Sequence, residues 1–304
     1  RFIHGGTIEA TSSKSNAAGI GGGDGEVSGM QSIVIWDGNV TATGGSSGAG
    51  IGGGQHNNTY PSVTIYGGTI NATGGDNAAG IGGGEDRSNG TVTIYSGTVN
   101  ATGGKSGAGI GGGEDGDLTT VTIYNGTVTA NGGPYGPGIG TGNRGNGGTI
   151  TIYGGTVTAN GGKDRDGMKA DNVTINAGDV TAKAGTHSIG IRSSNVTIHG
   201  GTIKAHGNYY DSSGGVGIGV EDEGTFCCHI TGGDVTADIL SGGSISNQGD
   251  GGAGIGGYCG KSVELHITID GGTVTAKGAY GGAGIGAGAY KNGGGDIESG
   301  SENR

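Results

Sequence analysis

The chain has 304 residues, of which 83 are Gly, 3 Pro, 2 Met and 2 Phe, a composition that excludes an ordinary helical or mixed globular core. Pro is too scarce for collagen, and the regular Val, Ile and Thr exclude generic disorder. A formal net charge of −11, with 15 Lys and Arg dispersed along the chain, excludes nucleic acid as a partner, because neutralising phosphates takes clustered cations.

No apolar run approaches the roughly 20 residues of a membrane-spanning helix, and no secretory leader opens the sequence. Arg1 stands in front of FIHGGTIEAT, which reads as an interrupted coil, so the chain is expected to be a fragment of a longer protein. The segment typified by GGTVTATGG then recurs ten times. Its inward apolar residues are expected to be Ile8, Val40, Ile70, Val99, Val128, Val157, Val180, Ile203, Val235 and Val274. Most intervals are 29 to 32 residues; two are 23, from Val157 to Val180 to Ile203, and one of 39 follows Val235. Loops of a solenoid vary in this way while its strands keep register.

Each full coil holds three extended segments, one like VTIY, one like TVTAT and one like AGIGGG. Alternation puts Val63, Ile65, Ile70 and Ala72 inward, and Thr64, Tyr66, Thr69, Asn71 and Thr73 outward. The predicted fold is all-β, a right-handed parallel β-helix with three faces and about ten coils, a rod about 50 Å long at about 4.8 Å per coil. One domain is expected over residues 1–292, followed by a polar tail or linker over 293–304. The third segment pairs Ile51, Ile81, Ile110 and Ile139 with Gly neighbours, which predicts a face of nearly bare backbone and a route to self-association.

The alternation of AGIGGG with VTIYGGTVTATGG resembles the Gly-rich β-helical repeats of large secreted or wall-attached proteins of Gram-positive gut bacteria. Those repeats are described as carbohydrate-binding or adhesin-like. The resemblance runs from Phe2 to Tyr290 and implies an extracellular or cell-surface location more firmly than any activity. The coils around Met168 and Ile189 lack the AGIGGG segment, so a function tied to that face is in doubt there.

Four surface features are candidates for function. The residue ending each VTIY strand forms a column of His4, Trp36, Tyr66, Tyr95, Tyr124 and Tyr153, which then changes to Asn176 and His199. An exposed aromatic row from Trp36 to Tyr153 suits a linear polysaccharide or host glycan, or else is a ladder that only stabilises the coils. Acidic turns follow the AGIGGG segments: Asp24 and Glu26, then Glu85 and Asp86, Glu114, Asp115 and Asp117, and later Glu221, Asp222 and Glu223. Stacked carboxylates repel, and Ca2+ held by Glu85, Asp86, Glu114, Asp115 and Asp117 is the expected remedy, with freely solvated turns as the alternative.

Outward Thr41, Thr43, Thr69, Thr73, Thr98, Thr102, Thr127, Thr129, Thr156 and Thr158 form a grid like an ice-binding face, interrupted by Asn71, Asn100, Asn131 and Asn160. The segment GGKDRDGMKAD gathers Lys163, Asp164, Arg165, Asp166, Lys169 and Asp171, where a polysaccharide lyase would place its charges. The long loops of such a lyase are scarce, the seven His lack metal-ligand spacing, and no Ser sits in a nucleophile elbow, so no catalysis is expected. Cys227, Cys228 and Cys259 are too few for a disulfide framework, and either one bridge to Cys259 or buried thiols fits them. The expected function is an extracellular, non-catalytic module for adhesion or glycan binding through the aromatic column, with a stalk or self-assembling filament as the alternative.

Overall fold

The computed structural model describes residues 1–23, 32–55, 62–86, 90–117, 120–209, 214–241, 251–279 and 281–289. Asp24, Glu26, Tyr290 and the segment 293–304 lie outside them. Among the described residues, ten coils each contribute three strands, and strands of successive coils pair in parallel to build three ten-stranded sheets. The winding is right-handed, the hand that crossovers between parallel strands take.

The first sheet carries the VTI segments, such as Ser62–Ile65 and Thr91–Ile94; the second carries the TVTAT segments, such as Thr69–Thr73 and Thr98–Thr102. The third carries shorter strands such as Ile81–Gly82 and Ile110–Gly111. The ten apolar residues from Ile8 to Val274 form one unbroken column of register partners. Those from Val40 to Val235 are buried, while Ile8 and Val274 at the two ends are partly buried. Val63, Ile65, Ile70 and Ala72 are buried as well, and Thr69 and Thr73 face solvent. Each fully buried Val or Ile contributes roughly 1.5–3 kcal/mol. β-Branched side chains at every second position therefore suffice to hold the stack.

The third face departs from expectation. Gly52, Gly82 and Gly111 are buried rather than presented as bare backbone. Their role is coil-to-coil contact. A Cβ on Gly111 would sit 1.9 Å from the Gly140 carbonyl oxygen of the next coil, and its φ of +138° is one that L side chains rarely adopt.

The corner leading from the third sheet back to the first varies most. Eight residues separate the strands ending at Gly82, Gly111 and Gly140 from the next strand of the first sheet, but only two follow Lys169 and Arg192, and three follow Val220. The corner therefore shortens abruptly after the fifth coil, and a step is cut into the side of the rod there.

Candidate functional site

The aromatic column follows directly from the strand register. Tyr66, Tyr95, Tyr124 and Tyr153 each donate their backbone N–H to the Ile carbonyl of the coil before, so equivalent side chains fall one above another. Trp36 and Tyr66 stack with centroids 4.1 Å apart and planes 7° from parallel. The next three pairs stack at 4.7, 4.7 and 4.8 Å, within 4° of parallel. Beyond Trp36 the stack loosens, His4 standing 6.4 Å away.

The residues of this column are 36% to 47% exposed. Their ring faces cover one another. Packing of sugar C–H groups needs an open ring face, and the interior of the column has none to give. The second sheet carries parallel ladders, with Asn100 donating from Nδ2 to Asn71 Oδ1 at 3.0 Å and Asn160 to Asn131 at 2.9 Å.

The acidic turns find partners within the fold. Glu85 accepts from the Ser47 hydroxyl at 2.5 Å and from Gln55 Nε2 at 3.0 Å. Asp86, Asp115 and Arg144 share a left-handed backbone, with φ between 54° and 67°. Arg144 supplies the positive charge, its guanidinium lying 2.7 Å from Glu114 Oε1 and 3.0 Å from Asp115 Oδ1. Asp117 accepts from the Asn146 backbone N–H at 2.9 Å. Among the described residues, no three His, Cys, Asp or Glu side chains gather closely enough to hold a metal ion.

The step at the sixth and seventh coils assembles a charged notch. Lys169 and Arg192 occupy the register position that is Gly140 in the coil before and Gly219 in the coil after. With the corner loops gone, their long side chains fill the vacated space. Arg192 is paired with Glu221, with Asp222 at 2.7 Å and with buried Asp166 at 3.8 Å. Asp166 also accepts the Ile189 N–H at 2.9 Å. Burial pushes the Asp166 carboxyl above its usual range, against the pull of Arg192, and burial with the neighbouring Arg192 charge lowers Lys169. Asp164 pairs with Thr186 and lies 3.6 Å from His187, while exposed Lys163 and Asp171 stay at the margins.

Sequence reasoning singled out Asp166 and Lys169 but missed Arg192 and its tie to Glu221. The signal was present: Lys169 and Arg192 replace glycine in GMKAD and GIRSS, where every other coil reads GIG and the first four read GIGGG. The thiols of Cys227 and Cys228 are free. Cys228 points into the core, where burial and then the Cys227 beside it push its pKa up to about 12, which makes it unreactive.

Three parallel sheets wound from a 29-residue repeat define a β-solenoid repeat protein. Comparison with known families matches the beta helix repeat at residues 3–24, 33–55, 63–85, 92–114, 121–143, 150–170, 196–219 and 267–289, and the chain belongs to that family. No curated protein and no solved structure gives a significant match.

Proposed function

We propose that the chain is a non-catalytic surface module of a secreted or wall-attached protein, a stiff solenoid stalk that carries adhesion surfaces outward. The observation that supports this reading is the aromatic column, whose faces are closed by mutual stacking from Trp36 to Tyr153. Such a ladder stiffens the rod coil by coil. The extracellular setting rests on the resemblance of the Gly-rich repeats to secreted proteins.

A second reading, direct contact of a glycan with the column, draws on its partial exposure. A glycan array with and without calcium, run on the wild type and on a variant with Tyr66, Tyr95 and Tyr124 changed to Ala, separates the two. A stalk loses melting temperature in the variant and keeps its array profile. Loss of a glycan that the wild type captures would replace the stalk reading with column binding. Release of unsaturated products from polyuronates, abolished by Arg165→Ala, would sink the non-catalytic reading. Antibody labelling of intact source cells tests the location, and labelling only after lysis would count against it.

A further inference from the structure

The notch at the sixth and seventh coils has a shape and a charge pattern that the stalk reading does not use. Two adjoining clefts of 220 and 330 Å3 meet there and share Lys169, Arg192 and Glu221. Together they fall in the range of small-ligand sites, roughly 300–1,000 Å3. One wall is the corner 141–148, the floor is the short corner of two coils, and the far wall begins at Glu221. At about 4.8 Å per coil, the trough is roughly 10 Å wide, enough for one saccharide strand to cross the rod.

The charges differ between the two sides. Arg192 is saturated by its three carboxylates. Lys169 and Arg165 are not. Among the described residues, Lys169 Nζ bonds the Gly145 carbonyl at 3.0 Å, and Arg165 bonds the Tyr135 carbonyl, the Asp164 carbonyl and Asn143 Oδ1 at 2.8, 2.9 and 2.8 Å. Among the described residues, neither cation has a carboxylate within 4.0 Å. Both line the larger cleft, where four cations, Arg144, Arg165, Lys169 and Arg192, face three carboxyl groups, Asp164, Asp166 and Glu221, in a chain of net charge −11. A partly desolvated cation bonded only to neutral oxygens gains from an added anion. The smaller cleft shares Lys169, Arg192 and Glu221 and adds Asp171, Asp222 and Glu223, acceptors suited to hydroxyl donors.

We propose that this notch binds an acidic saccharide unit, its carboxylate or sulfate held by Lys169 and Arg165 and its ring hydroxyls donated to Asp171, Glu221 and Glu223. The polar lining favours a saccharide over a peptide, which would need a free strand edge or apolar pockets. The inference goes beyond the stalk reading and does not depend on the aromatic column.

The test is isothermal titration of the purified 304-residue chain with four probes of matched length: an oligogalacturonate, a sulfated chondroitin oligosaccharide, a neutral malto-oligosaccharide and, as the acidic peptide, poly-glutamate. Lys169→Gln and Arg165→Gln are compared with Lys204→Gln, an exposed cation of the second sheet, and folding is checked by melting. Binding of either acidic saccharide, weakened tenfold or more by Lys169→Gln or Arg165→Gln and unchanged by Lys204→Gln, supports the site; whichever acidic saccharide binds identifies the oxyanion. Arg165→Gln decides alone if Lys169→Gln fails to fold. Failure of both acidic saccharides, equal loss in Lys204→Gln, equal binding of the neutral probe, or stronger capture of poly-glutamate would overturn it. None of these outcomes bears on the stalk reading, which is tested at Tyr66, Tyr95 and Tyr124.

Discussion

Lys169 and Arg192 are register partners one coil apart in the third sheet, two cations stacked in a column that the neighbouring coils fill with glycine. Three carboxylates gather around Arg192, and one of them, Asp166, is buried.

That arrangement predicts a pH effect. Asp166 has a raised pKa in the folded chain, so the folded state holds its proton more tightly than the unfolded state does. Its contribution to stability is therefore greatest in acid. It declines as pH rises from the unfolded carboxylate value of about 4 through the higher folded value. Asp166→Asn keeps an acceptor for the Ile189 N–H and leaves Arg192 two partners. The variant should match the wild type in melting temperature near pH 4 and equal or exceed it at pH 7. A variant much less stable at pH 7 would show that the Arg192 pair outweighs the cost of burial.

Removing one ring from the column should cost stability without unfolding the rod. Tyr95→Ala loses stacking with both Tyr66 and Tyr124 and is expected to destabilise by about 1–2 kcal/mol. Tyr95→Phe keeps both contacts and should stay within about 0.5 kcal/mol of the wild type. Denaturant melts followed by circular dichroism compare the two, and equal losses would mean that the hydroxyl rather than the stack matters.

Gly111→Ala places a methyl group against the Gly140 carbonyl at a backbone angle that disfavours it, and should cost about 3 kcal/mol or more. Gly5→Ala meets no atom within 4 Å and serves as the control. Similar melting temperatures for both variants would show that the coils can part to admit a side chain.

Arg144→Ala exposes Glu114 and Asp115 to mutual repulsion, yet the Arg144 side chain is 63% exposed and the loss should stay within about 1 kcal/mol, shrinking in high salt. Adding calcium to the wild type should leave its melting temperature unchanged, because Arg144 already faces these carboxylates. A calcium-dependent rise of several degrees would instead support the cation site expected from sequence.

Strand register, inward residues and coil number were legible because period-two alternation inside a repeat leaves little freedom. One shifted residue would turn the column from Val40 to Val235 outward. The aromatic column was legible as a column, but not the contact between its faces, which depends on side-chain rotation about a fixed coil spacing. The acidic turns read as a repelling ladder because Arg144 lies a full coil beyond Asp115 and enters the picture only once the coils are stacked. The notch was half visible: the mixed charges from Lys163 to Asp171 stood out, while Glu221, 29 residues after Arg192, joined them only through the fold.

The unequal coils also bear on mechanics. A rod of parallel ladders pulled from its two ends should peel one coil at a time, each coil releasing its own length of chain. A 29-residue coil such as that from Val99 to Val128 yields roughly 100 Å of extended chain, and the 23-residue coils between Val157 and Ile203 roughly 80 Å. The force–extension trace of this solenoid would carry a pair of short steps that mark the position of the notch along the molecule.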